Sequence, residues 1–322
     1  MKSRRSTVLL AGATGLALAA TVEAAAFPRA VARNVVPPTT AMSKTARHGW
    51  MPPNAKSMKL LYVSDYTESL ILAYQQGRES SGPIGEIVDG ISTPQGIAVD
   101  SSGTLYVANQ GNDTITEYPA GASEPTVTLS SGIDEPLDVA VGEDSVLYVT
   151  EGSADKIVEF AEGATSPSES ITITHPSDGV TSKNSDLYAT NNLHFSSAGG
   201  EVVRCKPLER RCESTGISVG YAQGITIDSQ GNLLVGDYYH EEIDVFPPGS
   251  TSPSRQIALT YQEPGKLALN KNDSVLYMCD PADFAVDLIN YSTGAITSTF
   301  TYGPSDELEG LALYPGQKPG KP

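Results

Sequence analysis

Cysteine, histidine, tryptophan and phenylalanine are scarce in this chain, at three, four, one and six residues of 322. The three cysteines form no Cys-x2-Cys pair, so the usual thiolate zinc pattern is absent. There is no Gly-x-Ser-x-Gly elbow and no phosphate-binding P-loop, so neither of those chemistries has its local signature. Positive charge is also short: 21 Lys and Arg stand against 38 Asp and Glu. An acidic surface repels nucleic-acid phosphates and anionic lipid, which excludes nucleic acid as a partner class. Beyond the first 26 residues no apolar run is long enough to span a membrane. What is plentiful is glycine (30) and proline (22), with charged residues at only 18%. That balance suits an all-β chain with many turns.

Lys2, Arg4 and Arg5 precede an apolar stretch from Val8 to Val22, and the small residues Ala24, Ala25 and Ala26 come next. This order predicts a secretory signal peptide over 1–26, too short for a good membrane span. Ser3-Arg4-Arg5 is similar to the start of a twin-arginine signal, but the residues after Arg5 match that signal poorly, so the export route stays open. Residues 27–58 carry Pro28, Pro37, Pro38, Pro52 and Pro53, five basic residues and no acid. They read as a basic linker, disordered or laid loosely on the domain. Residues 59–322 carry a net charge of −24, so the sign of the charge changes between arm and domain. The expected location is secreted, periplasmic or otherwise extracytoplasmic. A soluble outer surface is the simplest meaning of the acidity. A basic arm tethering an acidic domain to another copy or to the cell envelope is a structural alternative.

Internal repetition is plain. Leu61-Tyr62-Val63 returns at Leu105-Tyr106-Val107, Leu147-Tyr148-Val149, Leu187-Tyr188-Ala189, Leu233-Leu234-Val235 and Leu276-Tyr277-Met278, at intervals of 44, 42, 40, 46 and 43 residues. Each unit places a small-and-branched strand first, as in Gly96-Ile97-Ala98-Val99, then a turn, the Leu-Tyr-Val strand, an alternating strand and a polar outer strand. Short alternating strands with turn signals at this period predict four-stranded antiparallel propeller blades. The first Leu-Tyr-Val strand has no inner strand before it, and Gly310-Leu311-Ala312-Leu313 has no partner after it. Pairing those two leftovers would close a six-bladed ring over 59–316, with 317–322 as a flexible tail, and remove its open edge.

Asp228-Ser229-Gln230-Gly231-Asn232-Leu233-Leu234-Val235-Gly236-Asp237 and Asp100-Ser101-Ser102-Gly103-Thr104-Leu105-Tyr106-Val107-Ala108-Asn109 carry a family resemblance. The repeats resemble NHL repeats, and the whole is similar to senescence-marker/gluconolactonase-like propellers. Such folds host binding modules, lactonases and lyases, so the resemblance implies architecture rather than one activity.

The residues opening the inner strands are expected to meet at the channel mouth: Gln95, Asp138, Asp178, Gln223, Lys266 and Glu309. Oxygen donors of this kind suit a hard divalent cation, Ca2+ or Mg2+. The gluconolactonase resemblance implies acidic residues before glycine as ligands, which Asp178-Gly179 and Glu309-Gly310 match locally, with Asp138 as the third candidate. Gln95 and Gln223 stand where asparagine is expected, and the Lys266 ammonium would compete with a metal for the carboxylates, so a solvated, self-neutralising polar channel is the plainer reading of the ring. Two further readings concern the same face. Peptide-amidating lyase propellers, a related family, bind zinc through three histidines there, which would fall on His175, His194 and His240. Tyr238, Tyr239 and Phe195 could wall a sugar or peptide site, or pack loop against loop. The polar residues ending the Leu-Tyr-Val strands (Asn109, Glu151, Asn191, Asn192, Asp237, Asp280) read as turn caps. Cys205 and Cys212 sit on the arms of an expected outer hairpin and should form a disulfide, leaving Cys279 free. The leading expectation is a binding or scaffold module for a small molecule or a protein. The alternative is a metal-dependent lactonase, hydrolase or lyase.

Overall fold

A computed structural model describes residues 34–35, 48–142, 145–173, 179–183, 186–193, 196–260, 262–303 and 307–315. The signal peptide expected over 1–26 and the tail expected over 317–322 lie outside them.

The Leu-Tyr-Val strands are apolar on both faces, and the structure explains why. Leu60–Asp65 and Leu233–Asp237 are buried at every position, because sheets stack against both of their faces. The outermost strands are more exposed: Arg255–Ala258 and Glu169–Thr172 each bury a single isoleucine. Each repeat folds as a four-stranded antiparallel meander running from an inner to an outer strand. One such sheet is Pro94–Val99, Leu105–Asn109, Thr114–Tyr118 and Val127–Leu129, and a second is Ala222–Ile227, Leu233–Asp237, Glu242–Phe246 and Arg255–Ala258.

The chain's two ends meet in a third. Leu308–Tyr314 is its innermost strand and pairs antiparallel with Leu60–Asp65, Leu61 opposite Leu313 and Val63 opposite Leu311. This is the closure that the unpaired repeat ends called for. Around the channel the inner strands neighbour one another in a cycle: Pro94–Val99, Pro136–Val141, Val180–Lys183, Ala222–Ile227, Leu267–Leu269, Leu308–Tyr314 and back to the first. Apolar clusters fill the spaces between adjacent meanders. Leu61, Leu72 and Tyr74 meet Tyr277, Val286 and Phe300 in one, and Ala189 and Val203 meet Tyr148 and Ile157 in another.

Two sheets are larger than a single meander. An eight-stranded sheet contains the meanders that start at Pro136 and Val180, joined by one parallel pairing, Thr172 opposite Arg211. A five-stranded sheet adds Asn34–Val35 to the outer strand Ile296–Thr301. That strand comes from the stretch 27–58 read as a basic linker, disordered or laid loosely on the domain. Trp50 also bridges the edge strand Gly85–Ile87 through paired backbone bonds with Glu86 of 2.7 and 2.8 Å. Ala55, in a 3-10 turn, is 1% exposed in the cluster shared with Tyr62 and Tyr118. The arm covers two outer edges that would otherwise present unpaired backbone groups.

Cys205 and Cys212 lie directly opposite in the hairpin of Gly200–Lys206 and Arg211–Val219, with Cα atoms 3.9 Å apart, and form the expected disulfide. Cys279 is free and buried on Val275–Asp280. Among the described residues no helix is long and apolar enough to cross a membrane.

Candidate functional site

The inner strands begin with a disturbed register. Their pairing with the next strand shifts between Pro94 and Ile97, between Ala222 and Ile225, opposite Thr150 and Glu151, and opposite Val63 and Asp65. Each irregularity re-aims a short stretch at the channel mouth. Aligned on these stretches, the openings read Gln95-Gly96, Leu137-Asp138, Asp178-Gly179, Gln223-Gly224, Gly265-Lys266 and Glu309-Gly310. The five described residues expected in one ring, Gln95, Asp138, Gln223, Lys266 and Glu309, therefore belong to two layers. Leu137 and Gly265 occupy the outer positions expected for Asp138 and Lys266.

Glycine fills most of the inner layer because the neighbouring strand comes too close for a side chain. A Cβ on Gly310 would collide with the Gln95 carbonyl, one on Gly179 with the Gln223 carbonyl, and one on Gly224 with the Gly265 carbonyl. A Cβ on Gly96 would fall inside the Asp138 carboxylate. Asp138 and Lys266 are the two side chains in this layer, and they reach each other. Lys266 Nζ lies 3.0 Å from Asp138 Oδ2, with side-chain exposures of 14% and 9%. Their strands stand opposite in the cycle, two inner strands apart on either side, so the pair forms a bar across the channel. Asp138 Oδ2 also accepts the Val180 N–H at 2.9 Å, and the Asp138 N–H donates to Thr150 Oγ1 at 2.9 Å.

The bar separates two cavities. Inside it a channel of about 210 Å3 runs between the inner strands, lined by Val141, Ser182, Thr226 and Leu269 among others. Outside it a chamber of about 120 Å3 is lined by Gln95, Leu137, Gln223, Gly265, Lys266 and Glu309. Four of the expected mouth residues thus share one chamber, and Asp138 lies just beneath. Asp178, named for both the mouth and the metal, lies outside the described residues. A hard cation would need the Asp138 carboxylate, which is already committed to an ammonium and a backbone N–H.

Four of the six second-strand ends expected to be caps accept backbone N–H groups, whereas Asn191 donates to Glu201 and Glu151 pairs with Lys156. Asn109 Oδ1 accepts the Ser92 N–H at 3.0 Å, Asn192 Oδ1 the Ala222 N–H at 2.9 Å, and Asp280 Oδ1 the Glu263 N–H at 3.2 Å. Burial pushes the Asp280 carboxyl up to about 7. Asp237 is the fullest case. Its oxygens accept the N–H groups of Gly220, Tyr221, Tyr239 and His240, and Oδ2 lies 2.7 Å from His240 Nδ1. That hydrogen bond raises the His240 imidazole above its usual range. Asp237, His240 and Glu242 bring three possible ligand atoms within 4.8 Å of one another. Five hydrogen bonds already occupy Asp237, however, and capping accounts for its position. His175 and His194, the other members of the zinc reading, lie outside the described residues, as does Phe195. Tyr238 packs edge-on against Tyr221 at 6.1 Å between centroids, while Tyr239 is 43% exposed beside His240.

The structure is similar to a chain in the crystal structure of a nidogen/laminin complex, with a TM-score of 0.66 at 15% identity over 81% of this chain and 100% of that one. The fold is a β-propeller. It is also similar to the hydrazine synthase of Kuenenia stuttgartiensis, with a TM-score of 0.54 at 14% identity over 76% of each chain. No family model matches this propeller's sequence, and no curated protein matches it. At such identities the likeness is one of fold, and the chemistry has to be argued from the mouth itself.

Proposed function

We propose that this chain is an exported six-bladed propeller of the NHL type, spanning 59–316, whose channel-mouth face binds a small molecule or a protein. The blade count comes from treating the eight-stranded sheet as two blades, since a single parallel pairing joins its halves, and the fifth strand of the other sheet as arm. Export agrees with the Cys205–Cys212 disulfide, because such bonds persist in oxidising compartments. The observation that carries the binding reading is the Asp138–Lys266 bar beneath a polar chamber. It neutralises the carboxylate that a metal-dependent lactonase, hydrolase or lyase would need and leaves a small recess above.

Thermal unfolding of the mature protein with chelator, with Ca2+ and with Mg2+ tests this choice. The expected result is one melting temperature in all three conditions. A rise of several degrees with either ion that disappears in Asp138→Asn would instead favour the metal-dependent enzyme, with Asp138, Asp178 and Glu309 as its ligands.

A further inference from the structure

The bar leaves one oxygen of Asp138 over. Oδ2 takes Lys266 Nζ and the Val180 N–H, whereas Oδ1 accepts nothing among the described residues and is not shut off from open space. Asp138 lines the channel below the bar and not the chamber above it, so Oδ1 faces the channel. Two residues further along each inner strand stands the next tier of channel-facing positions. It reads Ala98, Ala140, Thr181, Thr226, Ala268 and Ala312, and all six line the channel. The alanines keep the passage open. Thr181 and Thr226 are the exceptions, and their hydroxyls are only partly buried and make no hydrogen bond among the described residues. Their strands are neighbours, and the Asp138 strand adjoins that of Thr181. The channel thus has one polar wall over three consecutive strands, opposite Ala98, Ala268 and Ala312. A mostly apolar cavity with a few convergent polar groups is the usual form of a small-molecule site.

We propose that the channel binds a small molecule of its own, an uncharged open-chain polyol, through Asp138 Oδ1 and the Thr181 and Thr226 hydroxyls. The site is separate from the mouth chamber and independent of what that chamber binds. The channel's lining reaches Val99, Val141, Leu269 and Leu313 at the turn ends of the inner strands, so it opens on the face away from the chamber. Asp138 and Lys266 are the only charged residues in its described lining and offset each other, so a charged ligand would lose water without gaining a counter-charge. Asp138 Oδ1 takes only a donor, and each threonine hydroxyl donates or accepts, which ligand hydroxyls satisfy in either direction. Two residues of strand, about 7 Å, separate the carboxylate tier from the hydroxyl tier, so the ligand needs hydroxyls along its length rather than one polar head. Hydroxyls radiating from a sugar ring would meet the alanine methyl groups, whereas an open chain turns them to one wall. At roughly 10–15 Å3 for each water-sized group, about 210 Å3 has room for a hexitol but not for a disaccharide.

The test is ligand-observed NMR titration of the mature protein with erythritol, xylitol and sorbitol, and with 1-pentanol, pentylammonium and glucose as comparisons. At least one polyol is expected to bind saturably and more tightly than any comparison compound. Thr181→Val and Thr226→Val keep the side chain's shape and should each weaken binding by about two- to tenfold, the range for one neutral hydrogen bond. Ala268→Leu fills the channel at the hydroxyl tier and should abolish binding, with circular dichroism establishing that each variant is folded. The threonine variants, which change almost no volume, carry the test should Ala268→Leu unfold. No polyol binding by the folded protein means that the channel holds only water, and overturns the proposal. So does binding that survives both threonine variants or a folded Ala268→Leu, and so does equal binding of the alcohol, the ammonium or glucose.

Discussion

Replacing Lys266 by methionine should cost far more than a surface charge normally does. Lys266 and Asp138 are 14% and 9% exposed and 3.0 Å apart, so each is held in a site from which water is largely excluded. Removing one partner of such a pair leaves the other as an uncompensated buried charge, at about 3–5 kcal/mol. Asp138 would retain only the Val180 N–H. In a domain of this size 1 kcal/mol moves the melting temperature by roughly 2 °C, so Lys266→Met should melt about 6–10 °C lower. Asp138→Asn alone strands the ammonium and should fall in the same range, softened where the amide oxygen still accepts from Val180. The double variant should recover most of the loss, because a neutral pair of similar shape demands no desolvation of charge. Urea unfolding of the four proteins gives the coupling energy directly. Single losses below about 1 kcal/mol that simply add in the double variant would refute the reasoning, and the bar would then be an exposed contact of the ordinary weak kind.

Three other perturbations have defined outcomes. Removing the Cys205–Cys212 bond, whose sequence separation is 7, should cost about 2.5 kcal/mol by loop entropy; thiol labelling of the oxidised protein should reach only Cys279, and only after unfolding, so two reactive thiols would contradict the pairing. His240 gains its proton affinity from Asp237, so its folded-state pKa lies above the unfolded value; that stabilisation is complete below the unfolded pKa of about 6.5 and is lost as pH rises through the folded one, which an NMR titration of the ring checks, His240→Gln flattening the matching part of the stability profile. Deleting 27–58 should lower stability by about 2–3 kcal/mol, since Trp50 and Ala55 are lost with the arm, whereas deleting 308–322 should abolish cooperative unfolding by removing the strand that closes the ring; an unchanged melting temperature in the second truncation would mean that the ring closes another way.

The parts of this fold legible in the sequence are those where one physical demand acts on every repeat. Leu61, Leu105, Leu147, Leu187, Leu233 and Leu276 recur because each second strand is buried on both faces, and the same count predicted Gly310–Leu313 against the first of them, which the pairing of Leu308–Tyr314 with Leu60–Asp65 contains. Cys205 and Cys212 could be paired because a hairpin fixes which residues stand opposite. Where the arm attaches was not legible. Its two attachments use backbone bonds at Asn34–Val35 and Trp50, and backbone pairing leaves no composition signal. The mouth was half legible. Picking out the first polar residue of each inner strand found Gln95, Gln223, Lys266 and Glu309, but it mixed two layers by counting Asp138 and Lys266 with residues that precede a glycine. The signal that separates them is in the chain: four openings read x-Gly, and the two that do not carry opposite charges. Glycine there is a space requirement of neighbouring strands, so a departure from it has to be accommodated by something across the channel. Asp138 and Lys266 stand in facing strands and accommodate each other. A pair of opposite charges at the two exceptions to a steric rule is therefore better evidence of a contact than either residue's type, and that contact is a crossbar with a chamber above it.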